Sequence, residues 1–165
     1  MADIRVVATG LRFPEGPVAM ADGSVILGEI AGSAVTRVAP DGGKSAIGSA
    51  GGGPNGLARG PDGALYLCNN GGNEYAQGGF LSTGPSKDYQ CGYIQRIDPR
   101  TGETRILYSQ CNGHKLSAPN DIVFDRQGGF ISPISASGGR ATATMAVSTM
   151  RCPTAPRLSS SYIRC

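Results

Sequence analysis

Pro54-Asn55-Gly56-Leu57-Ala58-Arg59-Gly60-Pro61-Asp62-Gly63-Ala64-Leu65-Tyr66-Leu67 is the stretch whose reading decides the fold. A proline-led tripeptide opens a short apolar run, an Asp-Gly turn follows, and a second apolar run leaves the turn. Asp caps such a turn through its side chain and Gly supplies positive φ, so the stretch reads as a β-hairpin. The same grammar stands upstream as Pro14-Glu15-Gly16, then Asp22-Gly23, then Val25-Ile26-Leu27. It stands downstream as Pro119-Asn120-Asp121, then Gln127-Gly128, then Phe130. The oxygen-bearing residue (Glu15, Asn55 or Asn120) precedes the turn glycine by eight in every case. A repeat at fixed offset means a propeller or a solenoid.

Each of the first two units holds four strand-sized runs. In the first, strands are expected near Val18 and over 24–29, 34–38 and 44–47, with Pro40-Asp41-Gly42 as a second turn. In the second they are expected over 56–58, 64–68, 93–97 and 103–108, with a polar, Gly-rich insertion over 69–90. The third begins at Pro119 and keeps the pattern to Phe130. No segment carries helical periodicity beyond one or two turns. Four short strands in units of about 40–60 residues match β-propeller blades. The fold class is therefore all-β. It is a partial propeller, with fewer than three of about six four-stranded blades and an irregular C-terminal tail.

The chain has 165 residues, 26 of them Gly and 11 Pro, with no Trp, which is turn-rich β composition. No apolar run approaches membrane-spanning length. The opening Met1-Ala2-Asp3-Ile4-Arg5 has no apolar leader core, so the expected setting is cytoplasmic, without membrane or nucleic-acid partners. Five scattered cysteines (Cys68, Cys91, Cys111, Cys152, Cys165) form no CxxC pattern and read as reduced thiols. All twelve acidic residues and eleven of the fifteen basic ones lie in residues 1–130; the remaining four, Arg140, Arg151, Arg157 and Arg164, stand isolated in the last 35. Isolated arginines give no nucleic-acid footprint.

Residues 1–130 form one domain of N-terminal blades, and 131–165 a separate tail. Past Phe130 the alternation and turns stop, and Ser, Thr, Ala, Arg and Pro dominate. With GC-rich codons, a one-base shift lets the bases encoding 146–156 read as a strand followed by Pro-Asp-Gly. The tail is accordingly expected to be frameshifted or disordered.

The inner strand of each propeller blade lines the central channel, so Glu15, Asn55 and Asn120 are expected to converge at one mouth. A carboxylate with two carboxamides is a hard-oxygen set suited to Ca²⁺, Mg²⁺ or Mn²⁺. Such an ion can polarise a carbonyl, and ester or lactone hydrolysis is the matching reaction class. Each residue alone also fits a plain turn role. The formal GxGxxG of Gly51–Gly56 is followed by no helix pattern and reads as blade rather than dinucleotide cradle. His114 reads as a surface residue.

Four segments, 11–18, 54–58, 60–67 and 118–125, resemble the senescence marker protein/regucalcin/gluconolactonase family. The resemblance covers residues 3–130. It implies a six-bladed propeller that hydrolyses sugar lactones with a divalent cation in its channel, Ca²⁺ first and Mg²⁺, Mn²⁺ or Zn²⁺ as alternatives. It implies Glu15 as a metal ligand, Asn120 as a substrate- or metal-contacting asparagine and Asn55 as a channel-lining residue. The family's later-blade Asn and its Asp, metal ligand and base, have no match in 131–165. No catalytic residue is therefore assigned, and the chain is expected to be an inactive fragment whose intact parent takes a small lactone. The alternative reading is a non-enzymatic binding or interaction module.

Overall fold

The computed structural model describes residues 4–77, 81–111, 113–135 and 146–151. Its first sheet takes β1 (Pro14–Ala19), β2 (Val25–Glu29), β3 (Ala34–Val38) and β4 (Lys44–Ala46) in sequential order, all antiparallel. A single 3-10 turn, Ile30–Gly32, links β2 to β3. The second sheet repeats the order with β5 (Pro54–Arg59) and β6 (Leu65–Asn69). It is completed by β9 (Tyr93–Ile97) and β10 (Thr104–Tyr108). Between β6 and β9 the polar insertion folds as its own hairpin, β7 (Asn73–Tyr75) with β8 (Ser82–Pro85). A short link, β11 (Gln110–Cys111) with β12 (His114–Lys115), leads to the third sheet. There β13 (Ala118–Pro119) and β14 (Val123–Phe124) both pair with β15 (Gly129–Ser135), which also pairs with β16 (Ala146–Arg151).

The hairpin turns follow the expected chemistry. Gly23, Gly63 and Gly128 all have positive φ, at 81°, 78° and 79°. Asp22 and Asp62 each accept a hydrogen bond from the backbone N–H two residues on. Asp125 does the same for the third unit. This is the three-residue loop with a glycine bulge that joins twisted antiparallel strands.

Sheet two lies between the other two, and β6 shows it. Leu65 and Leu67 point to one side, into a core with Ile26, Val35, Ile47 and Leu57. Tyr66 and Cys68 point to the other, into a core with Ile94, Leu116, Ile122 and Phe130. A strand covered on both faces needs no polar alternation, which explains the unbroken apolar run. Each fully buried Leu or Ile contributes about 1.5–3 kcal/mol. The outer face of sheet one meets residues 5–11, which leave a cavity of about 400 Å³ against Val25, Leu27 and Val38.

The blades approach closely along their inner strands. A Cβ on Gly16 would collide with Leu57 N and lie 2.7 Å from Gly56 Cα. One on Gly56 would lie 2.7 Å from Asn120 O, and the Gly56 N–H donates to that oxygen at 2.8 Å. At the other end of the strands, equivalent ion pairs brace the first two blades. Arg37 on β3 pairs with Asp22, and Arg96 on β9 reaches Asp62 at 2.9 Å. Burial alone would raise the Asp62 carboxyl, but hydrogen bonds from Arg96 and the Ala64 N–H outweigh it and hold the group below its ordinary value.

Two expectations meet the structure differently. Cys68 and Cys91 are free, whereas Cys111 is disulfide-bonded, a pairing that spacing does not reveal. β15 runs through the expected boundary at 130/131 and pairs with β16 from Gly129–Arg151 to Ile134–Ala146. The rest of the tail, 136–145 and 152–165, lies outside the described residues, and so does any test of the frameshift there. Among the described residues no helix is long and apolar enough to cross a membrane.

Gly56→Ala should lower stability by about 1–3 kcal/mol, read as a fall in the urea midpoint, because the added methyl forces the second and third inner strands apart. Asp62→Asn should cost about 1 kcal/mol at pH 7. A carboxyl depressed in the folded state contributes fully above its unfolded value, about 3.9, and loses that contribution as pH falls through the lower folded value. The gap between wild type and Asp62→Asn should therefore close below about pH 4 in denaturation curves taken across pH.

Candidate functional site

The three Pro-led tripeptides sit on three copies of one irregularity. The register of β1 against β2 slips by one residue between Glu15 and Val18, and that of β5 against β6 between Pro54 and Leu57. In the third unit Pro119 faces Ile134 and Val123 faces Ile131, so the same slip falls across Asn120 to Ile122. A β-bulge re-aims the side chain it carries and frees it from the alternation of its strand. Asn55 and Asn120 lie within theirs, and Glu15, which faces Gly28, flanks its own. The close contacts at Gly16 and Gly56 bring these bulges side by side in the order one, two, three.

The three residues differ in burial. Glu15 and Asn120 are exposed, while Asn55 is only 7% exposed. Among the described residues no hydrogen bond engages any of the three side chains. Among the described residues Tyr75 Oη is the buried side-chain polar atom that lacks a partner, so the Asn55 amide keeps contact with solvent. Also among the described residues, no group of three or more His, Cys, Asp or Glu side chains could hold a metal. A cation here would rest on amide oxygens beside Glu15. That all-oxygen set fits Ca²⁺, Mg²⁺ or Mn²⁺ and does not suit a thiophilic ion.

Two side chains that hold the bulges in place escape the sequence reading. Glu29 faces Pro14 and Asn69 faces Pro54, each fifteen residues after the proline it opposes. Glu29 is buried; it accepts the Arg12 N–H at 2.6 Å and the Thr36 hydroxyl at 2.5 Å. This fixes the approach to Phe13, which has φ of 59° and sets its ring edge-on to Tyr75 at 6.3 Å. Asn69 is fully buried. Its oxygen accepts the N–H groups of Gly53 and Gly71 at 2.9 and 3.0 Å, and its amide donates to Gly51 O at 2.9 Å and Gln95 at 3.1 Å. The available signal was the polar residue closing each second strand at the same offset from its proline.

The sequence assigns Asp121 no site role. It takes the place that Gly16 and Gly56 hold in the other units, adds a carboxylate beside Asn120, and accepts the Ile122 N–H at 2.8 Å. Beneath it the Cys68 thiol donates to Asp121 O at 3.1 Å. Burial, with the Asp121 charge added, pushes that thiol up to about 12 against the easing effect of Ser132, so it is no nucleophile. The Gly51–Gly56 run leads into β5 and not a helix, so it forms no dinucleotide cradle. The side chain of His114 lies outside the described residues.

Residues 13–151 match the profile of the SMP-30/gluconolactonase/LRE-like region. The chain belongs to this family. A gluconolactonase of Zymomonas mobilis is 23% identical over 139 residues, covering 76% of this chain and 34% of that protein. A solved gluconolactonase of Xanthomonas campestris superposes with a TM-score of 0.59 at 22% identity, over 90% of this chain and 42% of its own. The PQQ-bound aldose sugar dehydrogenase of Streptomyces coelicolor gives 0.61 at 21% identity, over 93% and 50%. At such identities the solved structures establish the β-propeller fold alone. As a family member the chain spans about a third of the curated gluconolactonase it matches.

Asn69→Ala should cost at least about 2–3 kcal/mol, because it strands the Gly53 and Gly71 N–H groups in a buried site. Asn69→Asp, which keeps the accepting oxygen, should recover part of the loss in thermal unfolding.

Proposed function

We propose that this chain is the N-terminal part of a cytoplasmic, divalent-cation-dependent hydrolase of sugar lactones, and that by itself it lacks turnover. The observation that carries the reading is the row of three bulges, each holding or flanked by an oxygen side chain with no partner among the described residues, in a chain of the gluconolactonase family. A bound divalent cation, Ca²⁺ first, would supply the Lewis acid that polarises a lactone carbonyl.

The chain's own residues would do the rest of the binding. Glu15 offers the negative charge that holds the cation, with Asp121 adding a second charge in the third unit. Asn55, half of whose chemistry is donor, can orient a ring hydroxyl or carbonyl while its oxygen completes the cation shell. Asn120, exposed at the next bulge, has the same two-sided capacity. Hydrolysis also needs a base to take a proton from water. Glu15 and Asp121 are both given to holding the cation, so neither is assigned that role. The shortfall supports the inactive-fragment reading.

Calorimetric titration of the chain with Ca²⁺ and Mn²⁺ tests the site. Saturable binding should weaken at least tenfold in Glu15→Gln, while hydrolysis of glucono-1,5-lactone with either ion stays at the uncatalysed rate. Binding that ignores Glu15→Gln removes the cation site from this cluster. Turnover well above background overturns the claim of inactivity.

A further inference from the structure

We propose that a cleft between the first two blades, at the end of their strands opposite the bulges, binds a small oxyanion of the phosphate class. Met20 lines this cleft and stands five residues from Glu15, about 17 Å of extended chain. The cleft is therefore separate from the oxygen cluster, and the proposal does not rest on the lactonase reading. Its volume is about 460 Å³. Met20 and Ile26 form an apolar floor, and Arg37, Arg59, Arg96 and Arg100 stand around it with Asp62 and Asp98.

The four arginines have different duties. Arg37 donates through Nε to Ser24 Oγ at 3.0 Å and pairs through Nη2 with Asp22. Arg96 directs both Nε and Nη2 at Asp62 Oδ2, each at 2.9 Å. Arg100 lies 3.4 Å from Asp98. Three of the four charges are thus matched. Arg59 is exposed and, among the described residues, meets no carboxylate at ion-pair distance. Its Nη2 reaches back over the β5–β6 turn, 3.7 Å from where a Cβ on Gly63 would sit. The uncompensated charge in the cleft is that of Arg59.

This division of labour suits anion binding. A guanidinium carries five N–H donors, so the pairs with Asp22 and Asp62 leave further donors on Arg37 and Arg96. Those same pairs fix the planes of the two groups in advance, which lowers the ordering cost that a ligand would otherwise meet. Arg59 then brings the net attraction. Forked guanidinium donors match the oxygens of a phosphate, and two or more of them can share one such ligand. Every residue named belongs to blades one and two, so the site is complete within this chain.

Calorimetric titration of the full 165-residue chain with inorganic phosphate at constant ionic strength and pH 7.5 tests the proposal. Wild type should show saturable binding at a dissociation constant in the millimolar range or tighter. Arg59→Gln should weaken it at least tenfold. Arg105→Gln, an exposed arginine on β10 outside the cleft, should leave it unchanged. Acetate should bind at least tenfold more weakly than phosphate. Non-saturable binding, equal losses in the two variants, or equal affinity for acetate would each overturn the assignment.

Discussion

The structure depends on how closely one inner strand can approach the next. Gly16 and Gly56 lack the atom that would hold their neighbours away, and the Gly56 N–H donates directly to Asn120 O at 2.8 Å. The cores lie behind the inner strands, and the strands themselves meet backbone to backbone. This contact sets the spacing of the three bulges, and through it the spacing of the oxygen side chains within or beside them. A side chain at either glycine would alter the candidate site without touching any of its donors.

The bulges also need to be held from behind, and the chain uses polar groups for this where a hydrophobic contact would lack direction. Glu29 and Asn69 occupy equivalent places and reach backbone N–H groups just ahead of their prolines, at Arg12 and Gly53. The partners differ because the local chain differs. Blade one places Phe13 at positive φ before its proline, while blade two places three glycines there. One carboxylate and one carboxamide thus answer the same demand. A buried polar group of this kind contributes mainly when all its bonds are made, and Asn69 makes them in four directions.

Much of this was legible in the sequence, and the limits have physical causes. The strands of sheets one and two follow from the Asp-Gly turns and apolar runs, because those turns fix the hairpins locally; β3 and β9 fall where expected, residue for residue. The β7–β8 hairpin was missed because its polar, Gly-rich strands carry no alternation. The continuation of β15 past Phe130 was missed because its pairing with β16 is a tertiary choice, absent from local pattern. At the site, the repeat pointed to Glu15, Asn55 and Asn120. It did not point to Glu29 or Asn69, whose role appears only once cross-strand register is known. The disulfide at Cys111 likewise depends on proximity that spacing does not encode.

The placement of β6 has a consequence for how the molecule comes apart. Its odd residues serve one core and its even residues the other, so both cores share a single wall. Neither can be solvated from the centre without exposing the other. Breathing motions must start at the peripheral strands β4 and β10, where exposed residues such as Lys44 and Ile106 already face solvent, and travel inward. Amides of β6 would then be the last to exchange with deuterium, and a protease would find its first foothold at the rim.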